Sequence, residues 1–307
     1  VKRLGQKRER QARERQTRRG GREGFILISV LGALIVLAGL VAAASYLVRT
    51  AATGAAALRD ELAADALLRS GVELAAYQLF MLKRPAGDLS GQRIRLNDGV
   101  ITLAAVAEQG KIDLNGAPPE ALASLWKAAG APRLDPRAFA ARVVDYRDED
   151  GERTRNGGAE AADYAAAGKK GPANALFEQI DELQNVLGVE PDDVRALAPL
   201  ITVHNPSGKI AAFDAAPGVI EALPEGATLA GRVAALRSRQ LEDPEGAAAQ
   251  LGESAGLVSL DRAQSAFTVR IQAARGRFVR TVDVVLTASR APEALYFVTD
   301  WTDGPSR

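Results

Sequence analysis

Residues Phe25 to Val48 read FILISVLGALIVLAGLVAAASYLV, an unbroken run without a charged side chain, with Arg22-Glu23-Gly24 directly before it. At about 1.5 Å per helical residue such a run spans roughly 36 Å, enough to cross a hydrocarbon core of about 30 Å with some tilt. It predicts a single transmembrane helix. The preceding tail holds Lys2, Arg3, Lys7, Arg8, Arg10, Arg13, Arg15, Arg18, Arg19 and Arg22 against Glu9, Glu14 and Glu23, a net charge of +7. The positive-inside bias then keeps the N-terminus in the cytoplasm and translocates everything after Arg49.

A glycine followed at once by phenylalanine, between a basic tail and a long apolar stretch, resembles the start of type IV pilins and type II secretion pseudopilins. The resemblance implies cleavage by a prepilin peptidase between Gly24 and Phe25, methylation of the new Phe25 amine, and retention of the apolar helix. The chain departs from the pattern at the fifth position of the processed form, where the family usually has Glu and this sequence has Ser29. A buried carboxylate there can pair with a neighbouring subunit's terminal amine, and Ser29 cannot form that pair. Among pseudopilins the K subunit usually lacks this Glu and is unusually long. Two alternatives stay open: a secretory signal cut near Ala42-Ala43-Ala44-Ser45, and an uncut one-pass anchor.

The absence of cysteine excludes disulfides and thiolate metal sites. A formal charge of +1 conceals a split, since the tail's +7 leaves −6 for residues 24–307. An acidic exported part argues against nucleic acid as partner.

From Arg49 to Arg84 the chain lacks proline and is expected to continue the helix. Leu58, Leu62, Ala66, Val72, Ala76 and Phe80 form its expected packing stripe, with Arg69 and Glu73 spaced to pair inside it. Arg93–Leu96 and Val100–Val106 predict a hairpin around Asn97-Asp98-Gly99. After Lys111 an Ala-rich helical texture runs to Gly252. Strands are then expected around Phe267, Val269 and Ile271, over Phe278–Leu286 beyond Gly276, and over Leu295–Val298.

The expected fold class is α+β: a pilin-like N-terminal helix on an antiparallel sheet, with a large helical insertion. The divisions are a leader over 1–24, a transmembrane helix over 25–48, helix and hairpin over 49–110, the insertion over 111–252, and closing strands over 253–307.

Inside the insertion Gly110-Lys111-Ile112 and Gly208-Lys209-Ile210 open a weak repeat, the first copy leading to a helix over Pro119–Ala129 and the second to one from Gly218, with Asn115 and Asp214 as expected caps. The first copy, and Phe177–Gly188 with Leu183 and Val186 on its core face, resemble helix-hairpin-helix modules. That raises a rival, a membrane-anchored DNA-binding protein of the competence type. The hairpin positions, Gly130-Ala131-Pro132 and Gly188-Val189-Glu190-Pro191, place proline without an N–H and a repelling carboxylate where a phosphate would sit.

The densest chemistry is Asp145-Tyr146-Arg147-Asp148-Glu149-Asp150-Gly151-Glu152, followed by Glu160, Asp163 and Tyr164. Oxygen donors on a flexible loop suit a hard cation such as Ca2+. An EF-hand fails, because counting from Asp148 the twelfth position is Ala159. The order Asp148, Asp150, Gly158-Ala159-Glu160, Tyr164, Asn174 and Glu182-Leu183 resembles the K-subunit family, general secretion pathway protein K (GspK), whose insertion binds calcium. The resemblance points to Asp148, Asp150 and Glu160 as ligands, with Asp163 and Glu182 as further candidates.

For catalysis there is only His204, expected at the end of a helical run, so no enzyme is expected. The reading is a minor pseudopilin of the type II secretion system. The implied partners are the I and J minor pseudopilins, other pseudopilus subunits, prepilin peptidase and inner-membrane lipid.

Overall fold

The computed structural model describes residues 2–130, 133–205, 207–237, 251–252, 256–260, 265–276, 278–289, 291 and 293–304, with side chains from Phe25 onward. Helix α1 (Lys2–Ala76) is continued by one π-helical turn over Tyr77–Met81. No proline occurs before Pro85, so nothing removes a backbone donor along it. The chain divides into two units at Ala63/Ala64. In the first, every side chain from Phe25 to Val48 is exposed; the helix Phe25–Met81, which begins there, contains the one stretch among the described residues long and apolar enough to span a membrane.

The second unit contains a five-stranded antiparallel sheet in the order β1-β2-β7-β8-β9. Its strands are β1 (Gln92–Leu96), β2 (Gly99–Ala107), β7 (Ala266–Arg275), β8 (Phe278–Ala288) and β9 (Tyr296–Asp303). The β1–β2 hairpin turns at Asn97, whose φ of 52° is the left-handed conformation the Asn-Asp-Gly signal anticipates. Strand β9 runs five residues beyond the expected Val298, paired along β8 as far as Asp303. One face of the sheet buries Ile101, Leu103, Val269, Ile271, Val282, Val284 and Leu286 against Leu68, Val72 and Ala75 of α1 and Leu79 of the π-helical turn.

The expected stripe on α1 requires correction. Val72, Ala76 and Phe80 are buried, but Leu58 (57% exposed), Leu62 (61%) and Ala66 face outward. Packing begins at Ala64 and follows Leu67, Leu68, Gly71 and Ala75. The reason is close approach: a Cβ on Gly71 would come within 2.5 Å of Ile271 Cγ2, so helix and sheet touch where the side chain is absent. Glu73 accepts from the Tyr296 hydroxyl at 2.9 Å rather than pairing with Arg69.

Between the neighbouring strands β2 and β7 the chain departs into an inserted region with its own hydrophobic core. A buried carboxylate fastens this exit. Glu108 accepts from Lys111 Nζ at 2.7 Å, from Thr268 Oγ1 of β7 at 2.6 Å and from Thr202 Oγ1 of the insertion at 2.5 Å.

The repeat is structural. Strand β3 (Ile112–Asp113) pairs in parallel with β4 (Ile201–Thr202), and β5 (Ile210–Ala211) pairs in parallel with β6 (Val258–Ser259). Each first strand runs into a turn and then a helix begun by proline: α2 (Pro119–Ala128) followed by α3 (Pro136–Arg147), and α6 (Pro217–Glu221) followed by α7 (Gly226–Arg237). Arg147, closing α3, donates to the carbonyls of Leu114 and Ala117. Arg237, closing α7, donates to those of Ala212 and Ala215, the matching positions of the second copy.

Neither expected cap is one. The helices start at Pro119 and Pro217, beyond the reach of Asn115 and Asp214. Asn115 instead exchanges two hydrogen bonds with the backbone of Phe177, at 2.8 and 2.9 Å. His204 follows the short strand β4 rather than a helix, because β4 is drawn into pairing with β3. The Ala-rich stretch 238–250, read as helical, lies outside the described residues.

Candidate metal centre

The acidic loop begins where α3 ends. Asp148 terminates that helix, its N–H donating to the Val144 carbonyl at 3.0 Å. The chain then loops out and returns to α4 (Ala161–Ala166) at Glu160. Asp145, fully buried one turn before, holds the loop by accepting the Thr154 N–H at 3.0 Å. Gly158 sits against it so closely that a Cβ would lie 2.2 Å from Asp145 Oδ2. Glycine is required there by space, not by dihedral angle.

This path brings one carboxylate oxygen each of Asp148, Asp150 and Glu160 within 4.8 Å of one another. Oxygens on one calcium ion, bound at about 2.3–2.6 Å, can lie up to roughly 5 Å apart, so the spacing suits such an ion. Asp148 Oδ1, Glu160 Oε1 and Asp145 Oδ2 are buried and accept no hydrogen bond. Orphaned carboxylate oxygens facing one another are unfavourable unless a cation or proton joins them. The titration behaviour has the same origin. Burial, then the charges of Asp150 and Asp145, push the Asp148 carboxyl above its ordinary range. Burial, then Asp145, Asp148 and Asp150, do so for Glu160. The donor set therefore fits a hard cation.

Asp163 and Glu182 stand outside this cluster. Asp163 occupies the third position of α4, accepts the Glu160 N–H at 2.9 Å and pairs with Arg153 at 2.5 Å. That backbone N–H, with Arg153 beside it, holds its carboxyl below the usual range. Glu182 does the same for the 3₁₀ turn Ile180–Asn185, accepting from the N–H groups of Glu178 and Gln179 at 2.9 Å each. Both follow the reciprocal cap in which the third residue's carboxylate takes the N-cap amide.

Asp145 and Asn174 are the contributors that sequence reasoning left without a role. Asn174 donates to the Asp150 carbonyl at 3.3 Å and so tethers that stretch of the loop. Tyr164, wholly buried, accepts the Leu187 N–H at 3.1 Å and fixes α4 beneath the loop.

The DNA-type hairpins give no phosphate cradle among the described residues. Ala131 and Pro132 lie outside them. At the second hairpin Arg142 donates to the Leu187 carbonyl at 2.6 Å and lies against Gly188, while Glu190 caps α5 (Pro191–Leu197).

A long apolar N-terminal helix, packed on an antiparallel sheet into which a helical domain is inserted, defines a pilin-like subunit with an added domain. Residues 93–206 match the family described as type II secretion system (T2SS), protein K. The fold matches a chain in the crystal structure of the GspK-GspI-GspJ complex from enterotoxigenic Escherichia coli, with a TM-score of 0.63 and 19% sequence identity, over 81% of this chain and 99% of that one. The chain is thus similar to type II secretion protein K over residues 93–206 in sequence, and to a chain of the GspK-GspI-GspJ complex over most of its length in fold. No curated protein matches it by sequence.

Proposed function

We propose that the protein is the tip subunit of a periplasmic pseudopilus, assembled with the I and J minor pseudopilins and serving protein export across the outer membrane. One observation carries this reading: an entire helical domain leaves and re-enters between the adjacent strands β2 and β7, in a fold shared with a chain solved in complex with GspI and GspJ. A subunit with such bulk beside its sheet leaves no room for another to stack above it, which suits a terminal place. Ser29, with its hydroxyl bonded to the Phe25 carbonyl at 2.9 Å, offers no carboxylate to a neighbour's amine. A terminal subunit needs none.

On this reading prepilin peptidase cuts after Gly24 and the Phe25 amine is methylated. The helix from Phe25 then anchors the protein in the inner membrane with its N-terminus cytoplasmic. The role is structural rather than enzymatic. A calcium ion held by Asp148, Asp150 and Glu160 stiffens the inserted domain.

Co-purification tests the assignment. The protein should form a stable ternary complex with its I and J partners in size-exclusion chromatography, and its first residue by mass spectrometry should be Phe25. Failure to form the complex, together with micromolar binding to duplex DNA, would replace this reading with the DNA-receptor one.

A further inference from the structure

We propose that the groove between α2 and α3 is a docking surface for an apolar peptide segment of another protein that carries flanking carboxylates. The groove has a volume of about 660 Å³. Ala123, Ala140 and Ala141 line it, with Pro119 and Pro224 beside them. Side chains this short leave space that a leucine or phenylalanine from outside can fill.

The rim determines the class of occupant. Lys127, Arg137 and Arg155 line the groove and are exposed, and among the described residues Glu120 is the only acidic side chain lining it. None of the three cations has a carboxylate partner among the described residues. Several other basic side chains of the inserted domain are engaged: Arg153 with Asp163, Arg195 with Asp192, Arg147 and Arg237 on backbone carbonyls. Residues 24–307, which include the domain, carry a net −6, so a basic rim runs against the charge around it. Unpaired cations around an apolar floor complement carboxylates flanking apolar side chains. A polyphosphate backbone would need a denser basic patch and no apolar floor. Arg155 is positioned, because the neighbouring Thr154 N–H is held by buried Asp145.

The test uses the full chain in detergent and fluorescence anisotropy with two labelled dodecapeptides, one of leucine and aspartate and one with lysine for every aspartate. The aspartate peptide should bind and the lysine peptide should not. Lys127→Glu with Arg137→Glu and Arg155→Glu should weaken binding about tenfold or more, as should raising salt to about 0.5 M. All three side chains are exposed, so an unchanged circular-dichroism melting curve certifies that the variant is folded. Equal binding of both peptides, or wild-type binding by the folded triple variant, overturns the proposal. So does displacement of the aspartate peptide by a short DNA duplex.

Discussion

The two copies of the repeat in the inserted domain share a frame and differ in what fills it. Each has a short parallel strand pair, a turn, a proline-started helix and a closing arginine on two turn carbonyls. In the first copy Asp113 takes the N–H groups of Asn115, Gly116 and Asn205 at 2.6–2.8 Å. The matching residue of the second copy is Ala211, and Asp214, standing where the first copy has Gly116, leaves Oδ2 buried without a partner. The turn therefore does not require its carboxylate. What the copies share is the arginine clamp and the strand pairing, and these define the fold. New chemistry was free to enter the link between the last helix and the closing strand. In the first copy that link carries Asp148, Asp150 and Glu160.

Removing the cation should give the largest effect and should fall on one copy. With free calcium about a thousandfold above its Kd, EDTA should cost about 4 kcal/mol of stability. Hydrogen exchange should then rise over residues 145–185 while α6 and α7 keep their protection. Asp148→Ala with Glu160→Ala should reproduce the loss and abolish the response to EDTA. Equal loss of protection in both copies would break the comparison.

The clamps come next. Arg147→Ala and Arg237→Ala each leave two carbonyls without a charged donor, and with water taking over part of that role each variant should lose about 1.5–3 kcal/mol in all. If the copies are equivalent, the two variants should destabilise alike in chemical denaturation. A neutral Arg237→Ala beside a damaging Arg147→Ala would mean that the repeat is only a resemblance of backbone path.

How much of this was legible depended on how local each signal was. The hairpin at Asn97 and the alternation of Phe267, Val269 and Ile271 lie within short windows, and the structure places them as read, while Asp148, Asp150 and Glu160, also near one another in sequence, lie together in space. The stripe on α1 failed because periodicity gives the angle of a helical face but not the turn at which a sheet begins to cover it. That turn depends on Ile101 and Ile271, which meet the helix at Gly71. Asn115 and Asp214 were misassigned because Pro119 and Pro217 mark the true first helical positions, a rule available in the sequence. Glu160 with Asp163, Gln179 with Glu182 and Glu190 with Asp193 are three caps of one spacing. That spacing marks Asp163 and Glu182 as helix-end caps. Nothing local could have placed Asn174 on the Asp150 carbonyl.

Those caps supply a smaller test. Glu182→Ala should cost about 1 kcal/mol, the usual value of a lost helix-end cap, and leave calcium affinity unchanged in isothermal titration. A tenfold loss of affinity would instead return Glu182 to the ligand set and widen the chemical difference between the copies.

The pH response should be smallest in size and most specific in sign. Burial, reinforced by neighbouring carboxylates, raises the folded-state values of Asp148 and Glu160 above those of the unfolded chain. An acid shifted this way holds its proton more tightly when folded. The folded state is therefore unpenalised below the unfolded value, near 4, and loses stability as pH rises through the raised value. In EDTA, lowering the pH from 7 towards about 5 should raise the thermal midpoint. In calcium the same change should lower it, because protons then compete with the ion for the carboxylates. Asp113, also raised by burial, contributes equally in both media and drops out of the difference. Asp163 is shifted down, so its contribution is lost only below the ordinary carboxylate range, outside this window. Opposite slopes with and without calcium that vanish in the Asp148→Asn, Glu160→Gln variant would tie the response to the first copy's loop. Parallel slopes would show that these carboxylates do not share an ion.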